Sequence, residues 1–170
     1  MEFLQLAKKR YACRSYEDRQ VKKEDLAYIL EAGRVAPTGK NAQPQRLLAV
    51  QSREGLDKVA LGANAYGAPT VLIVCADRES VWVRPYDDKY ITDIDATIVT
   101  DHMMLAAAER GVDSVWICKF DPAVIRREFE IPETWDIVNL LALGYRSAPP
   151  KSPDRHETDR APVESYTRFC

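Results

Sequence analysis

The stretch Asp93–Gly111, DIDATIVTDHMMLAAAERG, decides how the rest of this chain is read. Ala96, Ile98, Val99, Met103, Met104, Leu105 and Ala106 to Ala108 leave almost no polar side to a helix running from Asp93 to Arg110. Thr92 or Asp93 stands where an N-cap is expected, Asp95 falls in the first turn, and Gly111 is placed to stop the helix. A helix that is apolar nearly all round is buried in a core or against another subunit. A chain of 170 residues can hardly wrap such a helix alone, so a second copy is expected on it. His102 within it reads as a hydrogen-bonded core or interface histidine rather than a catalyst.

Outward from this helix, four apolar runs read as strands: Arg46–Gln51 (RLLAVQ), Thr70–Ala76 (TVLIVCA), Ser114–Phe120 (SVWICKF) and Asp136–Gly144 (DIVNLLALG). Helices are predicted over about 2–11, 23–35 and 53–61, and another starts at Asp121-Pro122, an N-cap followed by a proline at the first helical position. Taken alone, this alternation points to a parallel three-layer sheet. Residues 78–92 mix aromatics with charges. There Trp82, Tyr86 and Tyr90 recur every four residues, as on one face of a short helix that caps the core, meets a partner or forms a substrate lid. Pro149, Pro150, Pro153 and Pro162 exclude helix through most of the tail after Tyr145, where Arg155, His156 and Arg160 belong either to a disordered end or to a strap that brings cations to a ligand.

The length fits one domain, residues 1–170, with an extended tail over 146–170. A formal charge of −2, with both signs scattered along the chain, argues against nucleic acid or an anionic membrane as the main partner. No apolar run approaches the ~20 residues of a membrane span, and the first residues place apolar before basic, so a cytoplasmic location is expected. Cys13, Cys75, Cys118 and Cys170 form no C-x-x-C pair and read as reduced thiols, mostly packed as small hydrophobes; a metal site is not expected.

Two stretches carry candidate chemistry. In Ala36–Gln45, APTGKNAQPQ, two prolines and a glycine shape a loop bearing Thr38, Lys40, Asn41, Gln43 and Gln45, a set that suits a planar ligand rich in heteroatoms as well as it suits an ordinary polar connection. At the end of the first helix Lys8, Lys9, Arg10 and Arg14 either complement the helix dipole or offer forked donors to a phosphate.

These pieces together resemble the FMN-dependent nitroreductases, in their short single-domain branch. KKRYACRSYEDRQV is similar to the family's N-terminal signature, APTGKNAQPQ to its Pro-Ser-x-x-Asn-x-Gln-Pro-Trp loop, the long helix followed by DSVWICKFDP to its dimer helix and Gly-Leu-Gly-x-x-Trp-Ile-Gly segment, and LLALGYRSAPPKSP with TDRAPVE to its closing segment and tail. The resemblance implies an α+β three-layer fold, a mixed and mainly antiparallel sheet flanked by helices, dimeric through the long central helix with FMN between two subunits. It implies a homodimer in which hydride passes from NADH or NADPH through FMN N5 to a nitroaromatic or quinone in ping-pong fashion. Carried over residue by residue, Arg10 and Arg160 match the phosphate-binding arginines, with Tyr11 and Ala12 beside them, and Arg14 the basic residue near the pyrimidine edge. Pro37, Thr38 and Asn41 match the loop that the neighbouring subunit lays against the flavin. Trp116, Ile117 and Cys118 match the backbone strip beside the ring, and Asn64 lies near a flavin-contact position. Ala12, Gln45 and the pair Cys118-Lys119 depart from the pattern, standing where the family has a serine, a tryptophan and Gly-Ala. Cys118 reads as a packed strand residue and Lys119 as a surface ion-pair partner. The cofactor carries the hard chemistry, so no catalytic side chain is assigned. The alternatives on the same scaffold are a non-catalytic flavin-binding or redox-sensing protein, a flavin reductase and a reductive dehalogenase.

Overall fold

The computed structural model describes residues 2–170. Its helices are α1 (Phe3–Lys9), α2 (Lys23–Val35), α3 (Arg53–Gly62), α4 (Thr92–Glu109), α5 (Pro122–Glu128) and α6 (His156–Asp159). Its strands are β1 (Gln45–Val50), β2 (Thr70–Asp77), β3 (Val83–Arg84), β4 (Lys89–Tyr90), β5 (Asp113–Ile117) and β6 (Trp135–Gly144). Four strands form the main sheet in the order β1-β2-β6-β5, and every pairing in it is antiparallel. Parallel character is confined to one bridge at the sheet's edge, Ala12 with Ser114, where the Cys13 amide donates to the Ser114 carbonyl at 2.9 Å. The mixed, mainly antiparallel sheet implied by the family resemblance is therefore present, and the parallel sheet read from element order is not. Order alone carries no strand direction.

Both faces of the sheet are covered, which is why β2 is buried along its whole length. Leu72, Val74, Leu141 and Leu143 pack with Ile29 of α2 and Val99, Met103 and Ala107 of α4. On the opposite face Val71, Ile73, Cys75, Leu140 and Ala142 pack with Val59 of α3 and Ile125 of α5. The period-2 alternation of β2 thus serves two cores. The α2 and α4 backbones approach so closely at Gly33 that an added Cβ would stand 2.9 Å from Met103 Cγ.

Of the three helix ends given a cap or a stop from sequence, two follow that chemistry and one is an exception. Gly111, at φ +72°, ends α4 in a Schellman motif: the Val112 amide donates to Ala107 O and the Gly111 amide to Ala108 O. Asp121 caps α5 by accepting from the Ala123 and Val124 amides. The exception is the start of α4, where Ile91 occupies the N-cap and neither Thr92 nor Asp93 caps it.

The helix expected over 78–92 is instead the hairpin of β3 and β4, with Val83 opposite Tyr90 and Arg84 opposite Lys89. Asp88 at φ +52° closes its turn and Arg84 pairs with Asp87. Tyr86 at the tip is 94% exposed, so the three aromatics share no helical face. The tail is ordered into short turns at Pro153–Arg155 and Val163–Ser165 around α6. Among the described residues, no helix is long and apolar enough to cross a membrane.

Candidate functional site

α1 ends at Lys9, and the tail returns to that end. Arg155 donates through Nη2 to the Arg10 carbonyl at 2.6 Å and through Nη1 to the Lys8 carbonyl at 3.2 Å, supplying a cap the helix's own sequence lacks. His156 Nε2 sits 3.2 Å from the same Lys8 carbonyl, and Lys8 pairs with Glu157. This strap brings Arg155 and Arg160 toward Arg10. Arg10 and Arg160 line one cavity of about 380 Å³ with Asp101 and His156. Burial lowers the affinity of the Arg10 guanidinium for its proton below the ordinary value of 12.5; repulsion from Arg155 and Arg160 lowers it further, and Asp101 opposes them. Arg10 is half-buried and, among the described residues, its side chain forms no ion pair. Three arginines set against one carboxylate, Asp101, leave an excess of positive charge, which an anion of two charges would relieve. Arg155 reads from sequence as one of the cations of a strap but not as a cofactor contact; the structure bears out the strap, with a short helix, α6, directly after Arg155.

Ser114 anchors the N-terminal segment, so Tyr11 and Ala12 run along β5. Tyr11 lines a cavity of about 490 Å³ with Arg10, Ser114 and Arg146, and its phenol is pushed well above the ordinary range by burial and by the Cys13 side chain. Beyond the end of β5 lies a larger cavity of about 890 Å³, lined by Asn64, Tyr66, Ile117, Cys118, Lys119 and Phe120, with Gly62, Ala63, Asp121 and Pro122. Arg14, exposed, reaches over the Tyr66 ring at 5.8 Å from its centroid. Asn64 closes a local turn by accepting the Tyr66 amide on Oδ1 at 2.8 Å, which leaves its Nδ2 to donate. Strand alternation sends Ile117 to the α3 side and Trp116 to the α4 side, so only the Trp116 backbone belongs to the strip; its indole Nε1 is buried without a partner.

Two expectations are corrected here. β5 stops at Ile117, so Cys118 is an exposed cavity residue and not a packed strand residue. Lys119 is also exposed and, among the described residues, makes no ion pair. The chain breaks away because the Asp121 amide is taken by the Gly62 carbonyl at 2.8 Å, which turns residues 118–121 toward α3.

The loop of Pro37, Thr38 and Asn41 lies elsewhere, against the start of α4. Its Gly39–Asn41 segment forms a short 3-10 turn, Pro37 and Asn41 are exposed, and none of the three lines the cavities above. One chain therefore presents the candidate residues in separate places: Arg10 and Arg160 line one cavity, Asn64 and Cys118 line another with Arg14 over its Tyr66, and the proline-bounded loop lines neither.

Comparison with known proteins bears on this arrangement. The model of the Nitroreductase family matches residues 7–63 and 59–145. A nitroreductase family protein of Clostridium difficile 630, known from its crystal structure, is 51% identical, covers 99% of this chain and 98% of its own, and superposes with a TM-score of 0.98. A protein of Methanothermobacter thermautotrophicus, provisionally named NADH dehydrogenase/NAD(P)H nitroreductase, is 30% identical over 98% of this chain and 88% of its own length. A provisionally named nitroreductase of Exiguobacterium sibiricum, crystallised with FMN, shares the fold with a TM-score of 0.83 at 21% identity, covering 100% of this chain and 98% of its own. An antiparallel sheet between two helical layers, a family match across most of the chain and a half-identical structure aligned from end to end lead to one conclusion: this protein belongs to the nitroreductase family.

Proposed function

We propose that this chain is an FMN-dependent NAD(P)H oxidoreductase that works as a homodimer on flat acceptors such as nitroaromatics and quinones. The observation that carries the reading is the convergence of Arg10, Arg155 and Arg160 without a neutralising ion pair on Arg10. A phosphate monoester of about −1.5 to −2 charge is the ligand such a cluster fits. FMN, when bound, supplies the ring that exchanges hydride between NAD(P)H and the acceptor.

The protein's own residues then hold and tune. Arg10 and Arg160 take the phosphate, and Arg155 fixes the backbone from which Arg10 projects. The Trp116–Cys118 backbone edges the ring, and Asn64 Nδ2 has a free donor for a carbonyl. Arg14 places a positive charge where the reduced cofactor gains negative charge, which favours reduction. The 890 Å³ cavity beside Cys118 leaves room for donor and acceptor in turn.

A second copy completes the site. Phe3 and Leu4 of α1 are 66% and 71% exposed, and α1 has no buried residue. Beside it α4 leaves Ile94, Ile98 and Leu105 partly uncovered at helical spacing. An apolar seam of this kind suits a second copy, whose Pro37–Asn41 loop supplies the wall that one chain lacks.

The test is direct. Purified protein should be yellow, retain FMN, and bleach under anaerobic NAD(P)H, then recover its colour on adding a nitroaromatic or a quinone. A colourless protein that ignores added FMN would sink the flavin reading; a yellow protein that NAD(P)H cannot bleach would leave a flavin-binding protein without this turnover.

A further inference from the structure

Among the described residues, two side chains from outside the Pro37–Asn41 loop are hydrogen-bonded to it: Gln43 close by in sequence, whose Nε2 donates to the Asn41 carbonyl at 3.2 Å, and a buried carboxylate from α4. Asp95, in the first turn of α4, is 1% exposed, and its Oδ1 accepts the Gly39 amide at 2.9 Å. Its Oδ2 is buried with no hydrogen-bond partner. Other bonds of this segment are local in sequence: the Gln43 amide donates to Thr38 Oγ1 at 3.1 Å, the Asn41 amide to the Thr38 carbonyl at 3.0 Å and the Ala42 amide to the Gly39 carbonyl at 3.0 Å.

The conformation so held is a costly one. Lys40, Asn41 and Gln43 have φ of 57°, 56° and 52°, three non-glycine residues in the left-handed region within four positions. Such backbone persists only where surrounding contacts over-determine it. Gly39 is pressed against α4's entry, where an added Cβ would stand 2.3 Å from Ile91 Cδ1, so that any side chain there would have to displace the Ile91 methyl or the loop itself. A buried carboxylate with an orphaned oxygen is itself unfavourable, although its place in the first turn of α4 suits the helix dipole.

We infer that Asp95 is a positioning residue for the cofactor site: through Gly39 it fixes Thr38 to Asn41 in the shape that the second subunit's flavin meets. This rests on the flavin and dimer reading above. Asp95 adjoins Ile94 and lies within one turn of Ile98, so the turn of α4 that carries the proposed seam also indexes the loop to it. The carboxylate acts here as an acceptor, a role an amide oxygen also fills.

Asp95→Ala, Asp95→Asn and Gly39→Ala, each compared with the unaltered full chain, test this. Asp95→Ala is expected to weaken FMN binding about tenfold or more, measured by flavin fluorescence quenching, and to speed trypsin cleavage after Lys40 in the apoprotein. Asp95→Asn, which keeps the acceptor, should bind FMN within about threefold of the unaltered chain, and Gly39→Ala, which displaces the loop by a different contact, should lose FMN as Asp95→Ala does. Unchanged FMN affinity in Asp95→Ala overturns the inference. Equal FMN losses in Asp95→Ala and Asp95→Asn, matched by equal falls in apoprotein melting temperature, also overturn it, since they describe a merely structural residue. An unaltered chain that binds no FMN overturns the flavin reading, and the inference with it.

Discussion

Arg10 shows how a single residue gains meaning from its surroundings. In sequence it is one of several cations at a helix end, equally suited to a dipole or a phosphate. In the fold it is half-buried with Arg155 and Arg160 near it; burial first and their repulsion second disfavour its charge, Asp101 offsets part of this, and a bound anion would offset more. Arg10→Met, which keeps the apolar stem, is therefore expected to act in opposite directions: FMN affinity falls about 10- to 100-fold, while the apoprotein's melting temperature rises. Titration with FMN and a thermal scan of apoprotein measure the two halves. Cys75 makes a second prediction. Burial pushes its thiol from 9.0 to about 12, and burial also raises the Tyr16 phenol. The folded state keeps a proton that the unfolded chain releases, so this contribution is complete below pH 9 and is lost as pH rises toward 12. Stability to urea should fall by about 1.4 kcal/mol per pH unit for Cys75 across that window, and the slope should be shallower in Cys75→Ala.

Between elements, the contact that matters most is α4 on β6. A bulge opposite Val74/Cys75 leaves Val138 unpaired, so that Val138 joins the α4 side of the core and Asn139 also reaches α4. Thr100 and Asn139, both fully buried, bond to each other at 3.1 Å, and Thr100 Oγ1 also donates to Ala96 O at 2.8 Å. Thr100→Val should destabilise by about 1–3 kcal/mol because the Asn139 carboxamide loses its partner inside the core, and Thr100→Val with Asn139→Leu should recover part of that loss in urea unfolding. Alternation in DIVNLLALG places the strand but not the bulge, since Val138 and Asn139 read as facing opposite sides. The hairpin at 83–90 was hidden for a related reason: four-residue spacing of aromatics imitates a helix, while the true signal is a turn centred on Pro85 and Asp88.

For the whole molecule, exposed apolar residues occur on α2, α3 and the hairpin as well as on α1 (Phe3, Leu4), at the start of α4 (Ile94) and near the end of the tail, where Val163, Tyr166 and Phe169 are 56%, 70% and 91% exposed. A chain that leaves Phe3, Leu4 and Ile94 uncovered beside the proposed cofactor site is expected to associate. Leu105→Glu, on the α4 seam, should give a monomer in sedimentation velocity that has lost most of its FMN, while its circular dichroism stays native. A monomeric variant that keeps FMN would separate the cofactor site from the dimer.

Helices α2 and α4, the four long strands, the Asp121-Pro122 start and the Gly111 stop were legible because periodicity, capping and glycine conformation act over a few residues. The two guanidiniums 150 residues apart, Arg10 and Arg160, were reached through motif resemblance, and the loop's polar character was plain from composition. Strand direction was reached through the family resemblance and not from element order, whereas the bonds of the tail to α1, the exposure of Cys118 and the Asp95–Gly39 tie were decided only in three dimensions. Each depends on contacts between segments far apart in the chain, and local propensity carries no record of which distant surface a residue will meet.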